Sequence, residues 1–317
     1  MKSSEASIGR ATVLIVISAL SFGSISVLTL LTTTAGVPLL TAMAWRYVIG
    51  ASLLGVVAIP HTVSSVPRRR VIHLLLIGGF GQALITYLSL YALRFIPVGP
   101  LAFLFYTYPA WVAIVAAIRG TEKLTTVRVV ALALALIGVT VMVGAPVEKL
   151  SPIGVGLALA SGLLYSIYLP ALEYVQEGVP AMFATFLLIL GAAVSFVLAA
   201  VFARELFVPH GTAVWANILL LALVSTVIAF SSLIKGLAVL GPVRTAIIAT
   251  VEPFFTAVLG VLVLRNQFST ATLAGGMLIA AAIVVIEWSS MRGAPTAQPP
   301  AVSGARSRLQ DSADRSG

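Results

Sequence analysis

The chain has 317 residues, 60% of them hydrophobic and 9% charged, with a mean hydropathy of +1.10 and a formal charge of +9. No soluble domain carries that balance, and because the basic residues fall between apolar runs, the partner they point to is a lipid bilayer and not a nucleic acid. With no cysteine and only three scattered histidines, His61, His73 and His210, neither a metal nor a redox site is expected, and no cofactor.

A bilayer core about 30 Å thick is crossed by about 20 apolar residues of helix. Ten such runs follow in chain order: 11–31, 38–59, 71–92, 98–118, 128–145, 152–172, 181–203, 213–236, 242–264 and 270–288. The first is too long for a signal-peptide core and reads as a retained helix. Polar and turn residues separate the runs, as at Thr32–Gly36, Ser64–Arg70, Arg119–Thr125 and Pro146–Pro152. Residues 1–10 precede the first run as a cytoplasmic N-terminus, and 289–317, rich in Pro, Ala, Ser and Gly, read as a disordered cytoplasmic tail.

Orientation follows from the short loops, whose Lys and Arg favour the cytoplasm. With the N-terminus inside, twelve basic residues fall on inner segments, and only Arg94, Lys149, Arg204 and Arg265 on outer ones. Both termini are therefore expected in the cytoplasm of a multi-pass inner-membrane protein.

The chain also repeats itself. Placing Pro109 over Pro253 sets an offset of 144, which brings Ala102 onto Ala246 and the Arg119–Thr125 loop onto 263–269. Residues 11–145 and 152–288 then form two five-span units joined by a 146–151 linker. An odd number of spans forces the second unit to enter the membrane with opposite orientation, the inverted-repeat design of many secondary transporters. The fold class expected is an all-α integral membrane protein of ten transmembrane helices in two inverted five-helix repeats.

Ionisable groups within a span are costly, about 2.5 to 3.5 kcal/mol at the helix centre on insertion scales, and so mark function. Arg46 lies roughly 12 Å and Glu252 roughly 15 Å into their spans by helix rise. Two readings compete for Arg46. It binds a solute carboxylate or pairs with Glu252, or it only braces helices through backbone carbonyls. Glu252 is the candidate for a solute amine or a coupled proton. Lys235 and Arg244, near an inner turn, should snorkel to water. Pro109 and Pro253 are expected to kink the fourth and ninth spans and bring Tyr106, Tyr108 and Thr250 to the level of Glu252. Phe22, Ser24, Tyr165 and Tyr168 form an aromatic and hydroxyl wall from spans one and six. Gln82 and Thr226 correspond at the repeat offset, as do Tyr87 and Ser231. Such polar groups either orient a ligand or act as packing glue. Spans five and ten are rich in Ala and Gly, which suggests close helix approach and a homodimer through them.

Four stretches resemble the EamA-type ten-helix transporters of the drug/metabolite transporter superfamily. They are Ala19-Leu20-Ser21-Phe22-Gly23-Ser24, Trp45-Arg46-Tyr47, and the two repeat cores Tyr87 to Arg94 with Pro109, Gly120-Thr121-Glu122-Lys123-Leu124 and Gly138, and Ser231 to Ala238 with Glu252-Pro253. Phe22 and Asn266 depart from the Trp and Glu that the family often has. The resemblance spans about residues 11–288. It implies a secondary carrier of a small organic metabolite, most plausibly an exporter of amino acids or related compounds by alternating access. The alternatives are export of hydrophobic cations, or a non-transporting membrane scaffold. The four-helix drug exporters of that superfamily carry a Glu in their first helix, and residues 11–31 have none. No phosphate-binding Gly-x-x-x-x-Gly-Lys-Ser/Thr loop is present, and the only Asp residues, Asp311 and Asp314, lie in the tail, so neither an ATPase nor another enzyme is expected.

Overall fold

The computed structural model describes residues 2–58, 66–120, 125–143, 150–264 and 270–292. Within them every regular element is helical and none is a strand. Residues 146–149 of the linker, 293–317 of the tail, Arg265, Asn266 and the Gly-Thr-Glu-Lys-Leu core beyond Gly120 lie outside the described residues, whereas 289–292 continue the helix that runs over Thr270–Arg292.

The described part of each expected run falls on helix, but five are not simple rods. The first is α1 (Lys2–Gly23) and α2 (Ile25–Thr34), broken at Ser24. Next comes α3 (Leu39–Ala58). The third is α4 (Arg68–Leu76) and α5 (Ala83–Ala92), joined by a π-helical turn at Ile77–Gln82. The fourth is α6 (Val98–Phe105) and α7 (Tyr108–Ile118). Then follow α8 (Thr126–Val143), α9 (Pro152–Gln176) and α10 (Ala181–Phe202). A second π turn, Leu223–Ile228, joins α11 (Thr212–Ala222) to α12 (Ala229–Ala249). Gly241, at φ 74° and ψ 170°, turns the chain inside α12 between the expected eighth and ninth runs. The chain ends with α13 (Val251–Leu264) and α14 (Thr270–Arg292). Seven helical segments are long and apolar enough to cross a membrane, and three shorter apolar helices accompany them at 126–141, 251–263 and 270–286.

The prolines do not kink continuous helices, as the sequence suggested. Pro109 sits in the first turn of α7 and Pro253 in the first turn of α13. There the missing N–H would have had no partner anyway, so each proline starts a half-helix. At each break a threonine adds its hydroxyl to a carbonyl that its own N–H also reaches: Thr107 Oγ1 donates to Leu104 O at 2.8 Å, and Thr250 Oγ1 to Ile247 O at 2.6 Å. In hydrocarbon such local repair is what permits an interrupted helix.

Packing exchanges the two halves of the chain. α3 lies along α10, and α8 along α14. α1 packs on α12 as α9 packs on α5, while α13 leans on α1 as α6 and α7 lean on α9. Small residues of the fifth and tenth runs serve this intrachain contact: a Cβ on Gly138 would lie 2.7 Å from the Gly275 carbonyl oxygen. The closest helix approach is between the first π turn with its flanking helix and α10. Gly78 there leaves no room for a Cβ against the Leu188 carbonyl, and Gly191 none against the Leu75 carbonyl.

Candidate functional site

Three breaks and one π turn surround a single cleft. Its wall takes one face of α1 and the start of α2, the first π turn with α5, the α6–α7 break, Tyr165 of α9, Phe230 and Leu233 of α12, and the start of α13. Counted out to its open mouth, with open solvent included, it holds about 1000 Å³ of empty space.

Six of the twelve residues singled out from the sequence line it: Phe22, Gln82, Tyr106, Tyr108, Tyr165 and Glu252. Glu252 lies in the first turn of α13, where the positive end of a helix dipole favours an anion. Its turn is pinned to the α1 break, because the Thr256 hydroxyl reaches both the Gly23 carbonyl at 2.9 Å and the Glu252 carbonyl at 3.1 Å. The Tyr106 hydroxyl approaches the Glu252 carboxyl without completing a hydrogen bond of good geometry. Aromatic rings form the opposite wall. Tyr108 meets Tyr165 edge to face at 4.7 Å, and Phe22 meets Phe230 in the same manner at 4.9 Å.

Three buried polar atoms on this wall have no hydrogen-bond partner: Ser18 Oγ, Gln82 Oε1 and Tyr106 OH. A buried polar atom left unpaired costs about 1 to 3 kcal/mol, and a group facing a cleft regains that energy when a ligand arrives. Gln82 is fixed for such a role, since its Nε2 donates to Thr86 Oγ1 at 2.9 Å and leaves the carbonyl oxygen free.

The other six residues do not line the cleft. Thr250 uses its hydroxyl to repair the α12–α13 break. Ser24 Oγ donates to Ser21 O and accepts from Ser225 Oγ, each at 2.7 Å. Tyr168 is buried behind Tyr165, and Tyr87 stacks on Tyr91. Thr226 is wholly buried, and its Oγ1 donates to Leu221 O at 2.9 Å.

Of the two readings of Arg46, its contacts fit the brace. The residue is 1% exposed and does not reach the cleft. Its Nε donates to Thr226 Oγ1 at 2.7 Å and its Nη2 to Ser225 O at 2.8 Å, both in the second π turn, and its Nη1 contacts Met43 Sδ at 3.7 Å. Among the described residues no carboxylate pairs with it. The brace through backbone carbonyl and hydroxyl is therefore what the fold contains, and with the Ser225–Ser24 contact it ties α3, the π turn and the α1 break together. Replacing Arg46 by Lys, which keeps the charge but loses the fork, should lower stability by about 1 to 3 kcal/mol. Thermal unfolding of the detergent-purified variant measures this. Solute affinity should stay within about threefold of wild type, a difference under 1 kcal/mol, because Arg46 touches no ligand.

Sequence reasoning missed Ser18, Ser26, Thr86, Ser89, Phe105 and Phe230 on the cleft wall. Helical period was the available signal. Ile15, Ser18, Ala19, Phe22, Ile25 and Ser26 step by three and four along one face, and so do Gln82, Ile85, Thr86 and Ser89. Lys235 is exposed, as expected of a snorkelling side chain. The side chain of Glu287 lies outside the described part.

Interrupted helices around a half-open polar cleft, inside an otherwise apolar bundle, make up the framework of a multi-pass membrane transport protein. The model of the EamA-like transporter family matches the chain twice, over residues 9–144 and 152–288, and the chain belongs to that family. It is similar to a solved crystal structure of a protein at 20% identity, covering 89% of this chain and 98% of that one with a TM-score of 0.75. At that identity the likeness speaks for the fold alone. No curated protein matches the chain.

Proposed function

We propose that this transporter is a secondary carrier that exports a small organic solute bearing an amine, an amino acid or a related metabolite, through the cleft at Glu252. The observation that carries this reading is a set of polar groups on one wall: a carboxylate at a helix N-terminus that only the Tyr106 hydroxyl approaches, beside Ser18 Oγ, Gln82 Oε1 and Tyr106 OH, which lack a hydrogen bond of good geometry among the described residues. An ammonium takes the carboxylate, the free oxygens accept its remaining protons, and the aromatic faces receive an apolar body or the cation itself. A proton on Glu252 would compete with the amine for the same atoms, which is the simplest way to couple the two.

The carrier has ten spans in two inverted repeats, 11–145 and 152–288, that rock about the cleft to alternate its access. The exchanged packing of the two halves supports this. Both termini are cytoplasmic in the inner membrane. Two contacts agree with the expected alternation of the spans: Arg70 Nη1 donates to Tyr174 O at 2.5 Å, joining two segments expected on the inner side, and Trp45 Nε1 donates to Phe207 O at 2.8 Å, joining α3 to a loop expected on the outer side. A homodimer through α8 and α14 would use the faces of these helices turned away from each other, where Val130, Ile137, Leu273 and Met277 are exposed.

Hydrophobic cations are a second class of solute. The observation favouring them is that no Arg, Lys or His lines the cleft among the described residues, so a solute carboxylate would find only neutral donors there.

The test is ligand-dependent thermal stabilisation of the purified protein with amino acids, amines, sugars and nucleosides. A solute present at 100 times its dissociation constant should add about 2.7 kcal/mol. Amines and amino acids are expected to stabilise; stabilisation by sugars or nucleosides alone would sink the proposal. Tyr106→Phe sharpens it. Removing a buried hydroxyl without a partner should leave the empty protein as stable as wild type or more so, yet weaken amine binding by about three- to tenfold, the loss of one hydrogen bond. A variant that loses stability and keeps its affinity would show that the hydroxyl serves the fold.

A further inference from the structure

A second cleft lies at the end of the bundle where α2 turns into α3. Counted to its open mouth it holds about 840 Å³, and its wall includes Thr29 and Thr33 of α2, Leu90 and Arg94 at the end of the third run, and Glu205 just after α10. Leu90 also lines the central cleft, so the two share a wall.

Arg94 and Glu205 bring opposite charges to this one cleft, yet among the described residues neither stands in an ion pair. Each is held in place by contacts that leave its hydrogen-bonding edge free. The Arg94 guanidinium lies 5.0 Å over the Tyr91 ring, which stacks in turn on Tyr87 at 5.2 Å. Glu205 sits on a fixed turn. The residue before it, Arg204, is left-handed at φ 56°, the Glu205 N–H donates to Ala200 O at 2.8 Å, and its carbonyl accepts the Thr41 hydroxyl. A third uncommitted group completes the wall: Thr29 is 2% exposed and its Oγ1 has no partner. With the Arg94 side chain held on its ring and the Glu205 backbone held in its turn, part of the ordering that a ligand would demand is already made.

We infer that this cleft is a recognition site for small solutes that carry both a carboxylate and an amine, the carboxylate on Arg94 and the ammonium on Glu205. The rest of the wall is largely aliphatic, which suits an α-amino acid with a short aliphatic side chain. The pairing of two opposite charges that the sequence suggested for Arg46 and Glu252 is thus found at Arg94 and Glu205. The inference rests on the central cleft being the transport route, and it gives that route a selectivity the centre lacks. An amine without a carboxylate satisfies Glu252 but leaves Arg94 unpaired.

The test is calorimetric titration of the full-length protein with L-leucine, 3-methylbutylamine and 4-methylpentanoate, which share one isobutyl body and carry both charges, only the amine or only the carboxylate. The decisive background is Glu252→Gln, which removes the central carboxylate so that remaining binding belongs elsewhere. In it, leucine should bind about tenfold or more tightly than either analogue, and adding Arg94→Ala or Glu205→Gln should remove that preference. Both positions reach solvent, so the fold tolerates these changes, and Arg119→Ala, an exposed arginine outside both clefts, serves as the unchanged control. The inference is overturned if Glu252→Gln binds no leucine, binds it no better than the amine, or keeps its preference after Arg94→Ala. The central-cleft reading fails on a different result, amine transport that survives Glu252→Gln.

Discussion

Glu252→Gln is expected to weaken amine binding about 100-fold and to reduce flux in proteoliposomes to a similar degree, because it removes the one carboxylate of a desolvated cleft. Losing one partner of a close charge pair in such a site costs about 2 to 5 kcal/mol, and 100-fold corresponds to about 2.7 kcal/mol. The fold should not suffer. Glu252 forms no ion pair among the described residues, and the pin between the α13 and α1 turns is made by the Thr256 hydroxyl on backbone carbonyls. Gln keeps the shape and that pin. Equal thermal stability of the empty proteins, combined with loss of stabilisation by amines, is the expected pair of results. A Gln variant that transports at the wild-type rate would place the site elsewhere.

Gly191→Ala should be among the most damaging single added methyls of the described residues. The added Cβ would meet the Leu75 carbonyl and the Gly79 nitrogen, both backbone atoms, so no rotamer change relieves the clash and α10 must separate from α4 and its π turn. Overpacking of this sort costs about 1 to 3 kcal/mol where side chains can yield, and here, with backbone on both sides, about 3 kcal/mol or more. Folded yield and the unfolding midpoint in detergent read this effect. The damage should extend to the cleft, because the same π turn ends at Gln82. Ordinary stability of Gly191→Ala would mean that the helices do not approach this closely.

Much of the architecture was legible because hydrocarbon leaves the chain few choices. Backbone polar groups must pair internally, so apolar runs of the right length become helices wherever they occur, and the described part of each of the ten runs falls on helix. What the runs could not show is where a helix stops for local reasons. The breaks at Ser24, Tyr106–Thr107 and Thr250 and the two π turns depend on threonine hydroxyls, neighbouring carbonyls and Arg46 arriving from other parts of the chain. Proline was read as a kink for the same reason: its missing donor is visible in the sequence, but whether that donor lies inside a helix or in its first turn is not.

The site was half legible. Depth along a span brought Glu252, Tyr106 and Tyr108 to attention, and it brought Arg46 and Thr250 with equal force, since depth says nothing about which way a side chain faces. Arg46 turned to the second π turn, where Ser225 and Thr226 satisfy it; Glu252 stayed on the cleft, where the Tyr106 hydroxyl approaches its carboxyl and no ion pair is formed among the described residues. Glu205 escaped notice because it lies in a loop, outside any span, and gains meaning only from Arg94 across the cleft.

By itself the sequence determined the membrane environment, the helical runs and the repeat, since composition, run length and the 144-residue offset are properties of the chain in order, and the bilayer converts them directly into helices. Only the tertiary structure decided which polar groups serve the fold and which are left for a ligand. That outcome depends on whether a partner from a distant part of the chain comes within hydrogen-bond reach, as Ser225 does for Arg46 and as no residue does for Ser18, Gln82 Oε1 or the Thr29 hydroxyl.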